Sequence, residues 1–104
     1  MSTFKDLGLR TEILTAITEM GFEKPTSIQE KTIPHILSSN KDLIGRAQTG
    51  TGKTGAFGLP VIHKLNPKSD HVQALILCPT RELCIQITKE LQNFAQHLTG
   101  VKVV

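Results

Sequence analysis

Apolar residues recur at two different spacings along the chain, and these spacings predict helices that alternate with short strands. In the N-terminal part, four apolar residues lie about one helical turn apart: Leu9, Ile13, Ile17 and Met20. This spacing predicts a helix over 10–20 that ends at Gly21.

A second helix is predicted to begin near Thr26. Either Thr26 with Gln29 or Ser27 with Glu30 has the spacing of a capping box, in which two residues satisfy each other's backbone N–H groups. Pro34 follows in the interior of this helix. We expect it to break the helix and to open a short third one.

Three apolar runs predict strands. The run 42–47 is expected to bury Leu43 and Ile44, and the run 74–78 is apolar throughout, as in a parallel sheet covered on both faces. Residues 101–104 resemble a further strand. Because the chain ends inside that strand, we expect a truncated fold whose open sheet edges favour self-association.

Two more helices are predicted, over 53–65 and 80–98. The first follows from the glycine-rich motif before it, since it contains three poor helix formers: Gly55, Gly58 and Pro60. Thr80 can cap the second helix. Its apolar stripe comprises Leu83, Ile87, Leu91, Phe94 and Leu98. Helices that alternate with strands predict an α/β fold with a parallel sheet.

Composition narrows the class of protein. The chain has 104 residues, enough for about one small domain, and 12 Lys and Arg against 9 Asp and Glu give a net charge of +3. The basic residues are scattered, so no polybasic nucleic-acid tail is predicted. The longest apolar run is too short to span a membrane, and residues 1–10 contain no apolar signal core. We therefore expect a cytoplasmic protein with no membrane partner.

The cysteines carry no recognisable motif. Cys78 and Cys84 are spaced unlike a structural zinc pair or a redox CxxC motif. We expect two reduced thiols that pack as small apolar side chains.

The run AQTGTGKT at 47–54 carries the strongest chemical signal. It follows a predicted strand and opens a predicted helix, which is the setting of a phosphate loop. Gly50 and Gly52 let the backbone turn its N–H groups toward one anion, Lys53 supplies positive charge, and Thr54 supplies a hydroxyl for Mg²⁺. The alternative is a flexible glycine turn with a surface lysine.

A base-reading element can be sought upstream of this loop. Gln29 offers a planar donor and acceptor that suit adenine N6 and N7, and Phe22 offers a face for stacking. The Asn-Lys-x-Asp stretch that many GTP-binding proteins use is absent. The alternatives are an exposed helix glutamine and a core phenylalanine.

Taken together, these motifs resemble those of the DEAD-box RNA helicases. The run GFEKPTSIQ at 21–29, with Phe4 upstream, is similar to the Q motif of that family. The run 47–54 matches its form of the phosphate loop, and PTREL at 79–83, followed by Gln86, matches its motif Ia. The resemblance is to bacterial members and covers almost the whole chain.

The resemblance implies a partial RecA-like, P-loop NTPase domain with three layers and a parallel sheet, truncated before the acidic metal-binding motif. Residues 1–104 would form the amino-terminal part of a helicase ATP-binding domain. Within it, 1–40 would be a helical Q-motif region, and 41–104 would hold the phosphate loop and motif Ia.

The resemblance also implies roles for individual residues. The implied ATP-binding residues are Phe22, Lys24, Gln29, Thr49, Gly50, Thr51, Gly52, Lys53 and Thr54. Lys53 and Thr54 would also act in catalysis, with Thr54 holding Mg²⁺. The implied RNA-binding residues are Pro79, Thr80 and Arg81. From the residues alone, a solvated first helical turn with a local ion pair is the favoured interpretation of Arg81 and Glu82.

Three functions follow. The first is the ATP-binding portion of an ATP-dependent RNA helicase, with ATP or ADP, Mg²⁺ and RNA as its ligands. The 104 residues contain no Asp-Glu-Ala-Asp segment, no Ser-Ala-Thr motif and no second RecA-like domain, so this fragment alone is not expected to be catalytic. The second is a non-catalytic nucleotide- or RNA-binding or assembly fragment. The third is another phosphate-loop enzyme, such as a nucleotide kinase.

Overall fold

The computed structural model describes residues 3–48 and 52–104. A short 3-10 turn at Lys5–Leu7 is followed by four α-helices. The helices are α1 (Thr11–Glu19), α2 (Ser27–Ser38), α3 (Lys53–Lys64) and α4 (Arg81–Phe94). All four lie where the sequence predicted helix, although α4 ends four residues before Leu98.

Helix α2 begins at the predicted capping box and does not break at the proline. Thr26 accepts a hydrogen bond from the Gln29 backbone N–H, and the Gln29 side chain accepts one from the Thr26 N–H. The predicted break at Pro34 is wrong, because α2 runs through it. Packing accounts for the continuity: Ile33 is fully buried, and the Thr32 hydroxyl donates to the Ala56 carbonyl of α3 at 3.1 Å.

The three strand predictions are corrected by the structure. Residues 42–48, 72–78 and 101–104 have no strand assignment, so the described residues form no parallel sheet. Leu43 and Ile44, predicted to be buried, are exposed, Ile44 at 90%. A strand needs a neighbour to receive its backbone hydrogen bonds, and the described residues supply no such neighbour to these runs.

One of these runs still shows the alternation of an extended chain. Leu75 and Leu77 are 80% and 85% exposed, whereas the residue that follows each of them, Ile76 and Cys78, is half-buried. Ile76 packs against the helical core. Side chains of an extended chain point to opposite sides in turn, so this run has one face on the helices and one open face.

The core lies between the helices and the N-terminal turn. Its fully buried members include Ile13, Ile17, Leu59 and Phe94. Only the C-terminal half of the predicted α4 stripe is buried, since Leu83 is 38% exposed. No helix in the described ranges is long and apolar enough to cross a membrane.

Candidate functional site: a buried amide against the phosphate loop

The carboxamide of Gln29 connects α2 to the residue that opens α3. Gln29 is 3% exposed. Its Oε1 accepts from the Thr26 N–H at 3.0 Å, and its Nε2 donates to the Gly52 carbonyl at 3.1 Å. Gly52 is the N-cap of α3. The predicted base-reading glutamine and the last glycine of the predicted phosphate loop are therefore joined by one hydrogen bond.

Two glycines make room for this amide. Gly52 has a φ of +85°, and a Cβ there would lie 2.6 Å from the Gln29 Nε2. At Gly55, one turn into α3, a Cβ would lie 2.7 Å from the same atom. Real Cβ atoms do not approach so closely, so a side chain at either position would displace the amide. Sequence reasoning missed the role of Gly55, although a glycine inside a helix was the available signal.

The two phosphate-loop residues after Gly52 differ in exposure. Lys53 is exposed and Thr54 is half-buried, and together they form the first turn of α3. The backbone N–H groups of a first helical turn have no partner within the helix and attract anions. An exposed ammonium beside them suits a phosphate. Thr49, Gly50 and Thr51 lie outside the described residues.

Phe22 lies in an aromatic cluster. Its ring meets that of Phe94 edge-on, with centroids 5.8 Å apart, and that of Phe4 at a tilt, also 5.8 Å apart. The side chain is half-buried, and it lines a cleft of about 290 Å³ with Phe4 and residues of α1. Lys24 is exposed. Gln29 is not among the residues that line this cleft.

The predicted RNA contact lies at the start of α4. The Thr80 hydroxyl accepts from the Leu83 N–H at 3.2 Å, so it serves as the N-cap of the helix. Pro79, Arg81 and Glu82 are exposed. An exposed guanidinium at a helix N-terminus is a favourable setting for a phosphate group.

Metal-binding chemistry is sparse on this part of the protein. Over 3–48 and 52–104, no three His, Cys, Asp or Glu side chains gather closely enough to hold a metal ion. The Thr54 hydroxyl at the start of α3 could still hold Mg²⁺ together with phosphate oxygens, because Mg²⁺ commonly binds through few protein ligands and the phosphates of a nucleotide.

Comparison with known proteins adds independent findings. A sequence model described as DEAD/DEAH box helicase matches residues 26–104. The chain is 60% identical over 95 residues to the ATP-dependent RNA helicase CshA of Listeria monocytogenes, covering 91% of this chain and 18% of that protein. It is 48% identical over 103 residues to the ATP-dependent RNA helicase DeaD of Escherichia coli, covering 99% of this chain and 16% of that protein.

Two solved structures follow a similar backbone path. A DEAD box protein from Methanococcus jannaschii superposes with a TM-score of 0.89 and 41% identity, over 96% of this chain and 27% of that one. S. cerevisiae Dbp5 bound to RNA and ADP BeF3 superposes with a TM-score of 0.91 and 37% identity, over 97% of this chain and 26% of that one. This chain spans less than a fifth of the length of each of the two curated relatives, CshA and DeaD. Sequence match and backbone path agree that the chain belongs to the DEAD/DEAH box helicase family.

Proposed function

We propose that this chain is the ATP-binding portion of an ATP-dependent RNA helicase, an enzyme that remodels or unwinds short RNA duplexes. The observation that supports the proposal is the hydrogen bond from Gln29 Nε2 to the Gly52 carbonyl, which joins the proposed base-reading side chain to the proposed phosphate loop. Similarity to the CshA and DeaD helicases supports the same function.

Adenine recognition would use what remains free on the Gln29 carboxamide. The bond from the Thr26 N–H uses one lone pair of Oε1, and the bond to the Gly52 carbonyl uses one hydrogen of Nε2. A second lone pair and a second hydrogen remain in the same plane. Adenine presents N6–H and N7 in the complementary order, whereas guanine presents two acceptors on that edge. Phe22 would stack on the base, with Lys24 beside it.

The phosphates and Mg²⁺ would lie at the start of α3. Thr49, Gly50, Thr51 and Gly52 are proposed to donate backbone N–H groups, and Lys53 to contact the outer phosphates. When bound, Mg²⁺ neutralises charge on the phosphates, and the Thr54 hydroxyl is its proposed ligand. The Gln29 bond would fix the Gly52 end of this loop, so base and phosphate binding would be linked.

RNA would bind at the start of α4. The exposed Pro79 and Arg81, with the first turn of the helix that Thr80 caps, form a surface suited to the phosphates of one strand. We expect Arg81→Ala to weaken RNA binding. Lys89→Ala, which removes an exposed positive charge farther along α4, is the matched control.

The fold proposal follows from the same relatives. A parallel sheet of the RecA-like type would form where the backbone edges of 42–48 and 72–78 pair with further strands. The 104 residues contain no Asp-Glu-Ala-Asp segment, so we propose that they bind nucleotide but do not hydrolyse it by themselves.

Nucleotide binding by this chain tests the proposal directly. We expect fluorescently labelled ATP to bind in the presence of Mg²⁺, and Lys53→Ala to weaken binding strongly. The control is Lys64→Ala, which removes an exposed lysine from the opposite end of the same helix. Equal affinities of the two variants would contradict the phosphate-loop assignment.

A non-catalytic assembly role is the second candidate, and the exposed apolar runs favour it. Ile44, Leu75 and Leu77 are at least 80% exposed, and such side chains favour association. We expect light scattering to show a mass that rises with concentration. The double variant Ile44→Lys, Leu77→Lys should stay monomeric, and a wild-type chain that is monomeric throughout would exclude this role. Membership of the helicase family argues against a nucleotide kinase.

A further inference from the structure

The ring of Phe22 rests against a second ring that lies entirely inside the protein. Phe94, the last residue of α4, is 0% exposed, and its ring meets that of Phe22 edge-on at an interplanar angle of 87°. Phe22 itself is half-buried and lines a cleft together with residues of α1. One ring of the pair is therefore fixed in the core, and the other reaches the surface.

The backbone of Phe22 is held by the end of α1. Its N–H donates to the Ile17 carbonyl at 2.9 Å, and the Gly21 N–H donates to the Thr18 carbonyl at 3.1 Å. Gly21 has a φ of +90°, so these two bonds form the Schellman arrangement that commonly ends a helix. This arrangement fixes where the Phe22 side chain starts, and the rotation of the ring is left to the side chains around it.

The position of Phe94 is fixed by close packing of α3 against α4. A Cβ at Gly58 of α3 would lie 3.5 Å from Phe94 Cε2 and 2.6 Å from Leu91 Cδ2. Gly58 and Leu91 are both buried. Phe94 therefore has little freedom to turn, and it offers Phe22 a stationary partner.

Contact between the two rings restricts the orientation of Phe22. Aromatic rings are negative on their faces and positive at their edges, so an edge-on pair at this distance is attractive and has a preferred geometry. A base can stack only on a ring whose face is presented to it. A ring that is already held in that orientation loses less freedom on binding than a mobile ring, and the affinity is higher for that reason.

We propose that Phe94 is a positioning residue, which holds the Phe22 ring in the orientation that stacks on the adenine base. Phe94 is fully buried, so it would not touch the nucleotide and would act only through Phe22. This role rests on the proposed function, in which Phe22 stacks on adenine.

Calorimetric titration of the complete chain with ATP and with inorganic triphosphate, both in the presence of Mg²⁺, tests this role. Triphosphate contains the phosphates but no base, so its affinity reports the phosphate loop alone. Phe94→Leu keeps an apolar side chain and removes the ring. An edge-on ring pair changes an equilibrium by about two- to tenfold, so this variant should bind ATP more weakly by that factor and triphosphate as tightly as wild type. A general loss of structure would weaken the binding of both ligands.

Phe57→Leu is the matched control. Phe57 is a half-buried ring of α3 that lines a different cavity, with Ile28 and Leu43. Its removal should leave the ratio of ATP affinity to triphosphate affinity unchanged. Phe94→Met is a second variant of the buried position, with a flexible side chain that fills the space without a ring edge, and it should lower the ratio as Phe94→Leu does.

A double variant separates support of Phe22 from other effects of Phe94. Phe22→Leu removes the stacking ring and should lower the ATP affinity alone. Adding Phe94→Leu should then lower it no further, since a residue that acts through Phe22 has no effect once that ring is gone. The role of Phe94 is overturned if both of its variants leave the ATP affinity unchanged, if they weaken ATP and triphosphate equally, or if the two single effects add in the double variant.

Failure of the proposed function gives a different result. A wild-type chain that binds ATP no more tightly than triphosphate would overturn adenine recognition itself, and with it the role of Phe94. A wild-type preference for ATP that Phe22→Leu abolishes and Phe94→Leu leaves intact would overturn the role of Phe94 alone.

Discussion

Replacing Gln29 with glutamate tests the buried amide without changing its size. The Gln29→Glu variant keeps the oxygen that accepts from the Thr26 N–H. It replaces the Nε2 donor with a second oxygen, 3.1 Å from the Gly52 carbonyl oxygen. Two acceptors would then face each other at a position that is 3% exposed. A buried acceptor without its partner costs about 1–3 kcal/mol, and an ionised carboxylate costs more.

The size of the expected effect follows from this geometry. For a chain of this length, each kcal/mol lost lowers the Tm by roughly 4–8 °C. We therefore expect Gln29→Glu to lower the Tm by roughly 4–24 °C at neutral pH. The matched control is Gln92→Glu, which removes the same kind of bond, from Gln92 Nε2 to the Val103 carbonyl at 2.9 Å, at an exposed site. Water replaces an exposed bond, so that change should stay within about 0.5 kcal/mol.

The penalty should also depend on pH. Burial against a carbonyl oxygen disfavours the charged form, so the pKa of the new carboxyl is raised above its ordinary value of about 4.3. Below about pH 3 the carboxyl is protonated in both the folded and unfolded chains, and its O–H can donate to the Gly52 carbonyl. The penalty then appears as pH rises through the interval between the unfolded and folded pKa values.

Circular dichroism melts of wild type and both variants at several pH values measure these differences. We expect a large loss of stability for Gln29→Glu near neutral pH that shrinks in acid, and a small loss for Gln92→Glu at every pH. Equal Tm changes in the two variants, or a Gln29→Glu penalty that is independent of pH, would refute the reasoning.

Three further outcomes are expected from the structure. A Cβ at Gly58 would lie 2.6 Å from Leu91 Cδ2. Gly58→Ala should therefore lower stability by about 1–3 kcal/mol, although alanine has the better helix propensity. A rise in Tm would contradict this packing. Thr80→Ala removes the hydroxyl that caps α4 and should lower the free energy of unfolding in urea by about 0.5–2 kcal/mol. Thr80→Ser keeps the hydroxyl and should preserve stability. Equal losses of stability in the two variants would argue against the cap. Burial lowers the pKa of His63 below its ordinary value of 6.5. The unfolded chain therefore binds a proton at His63 more readily than the folded chain does. Stability should fall as pH drops from about 7.5 to about 5.5. His63→Asn should flatten that dependence in melts across this range, and an unchanged slope would assign it to other groups.

Local features of the fold could be predicted well from the sequence. The capping box of Thr26 and Gln29 and the cap of Thr80 each depend on residues three apart, so sequence spacing specifies them. The continuation of α2 through Pro34 could not be predicted in this way. It accompanies the packing of Ile33 and Thr32 on neighbouring elements, which spacing does not reveal.

The strand predictions show a different limit. The wholly apolar run 74–78 predicts a strand covered on both faces, but a strand also needs a neighbour to pair with. The described residues supply none to Leu75 and Leu77, so the apolar side chains that predicted a covered sheet lie at the surface.

The candidate site was predictable as residue types but not as a network. The chemistry of the Gln29 carboxamide and of the glycine-rich loop was enough to indicate each of them as a candidate ligand-binding element. The bond between Gln29 and Gly52 joins residues 23 positions apart, so only the packing of α2 on α3 reveals it. The role of Gly55 depends on the same packing.

We propose above that this chain supplies the ATP-binding unit of an RNA helicase. The most direct measurement is RNA-stimulated ATP hydrolysis by the Listeria helicase CshA in which this chain replaces the corresponding segment. We expect a folded chimera that hydrolyses ATP when RNA is added and prefers ATP to GTP. This activity should be lost on Lys53→Ala and retained on Lys64→Ala. A folded chimera without RNA-stimulated hydrolysis, or one that keeps its activity after Lys53→Ala, would show that this chain is not an ATP-binding unit of this kind.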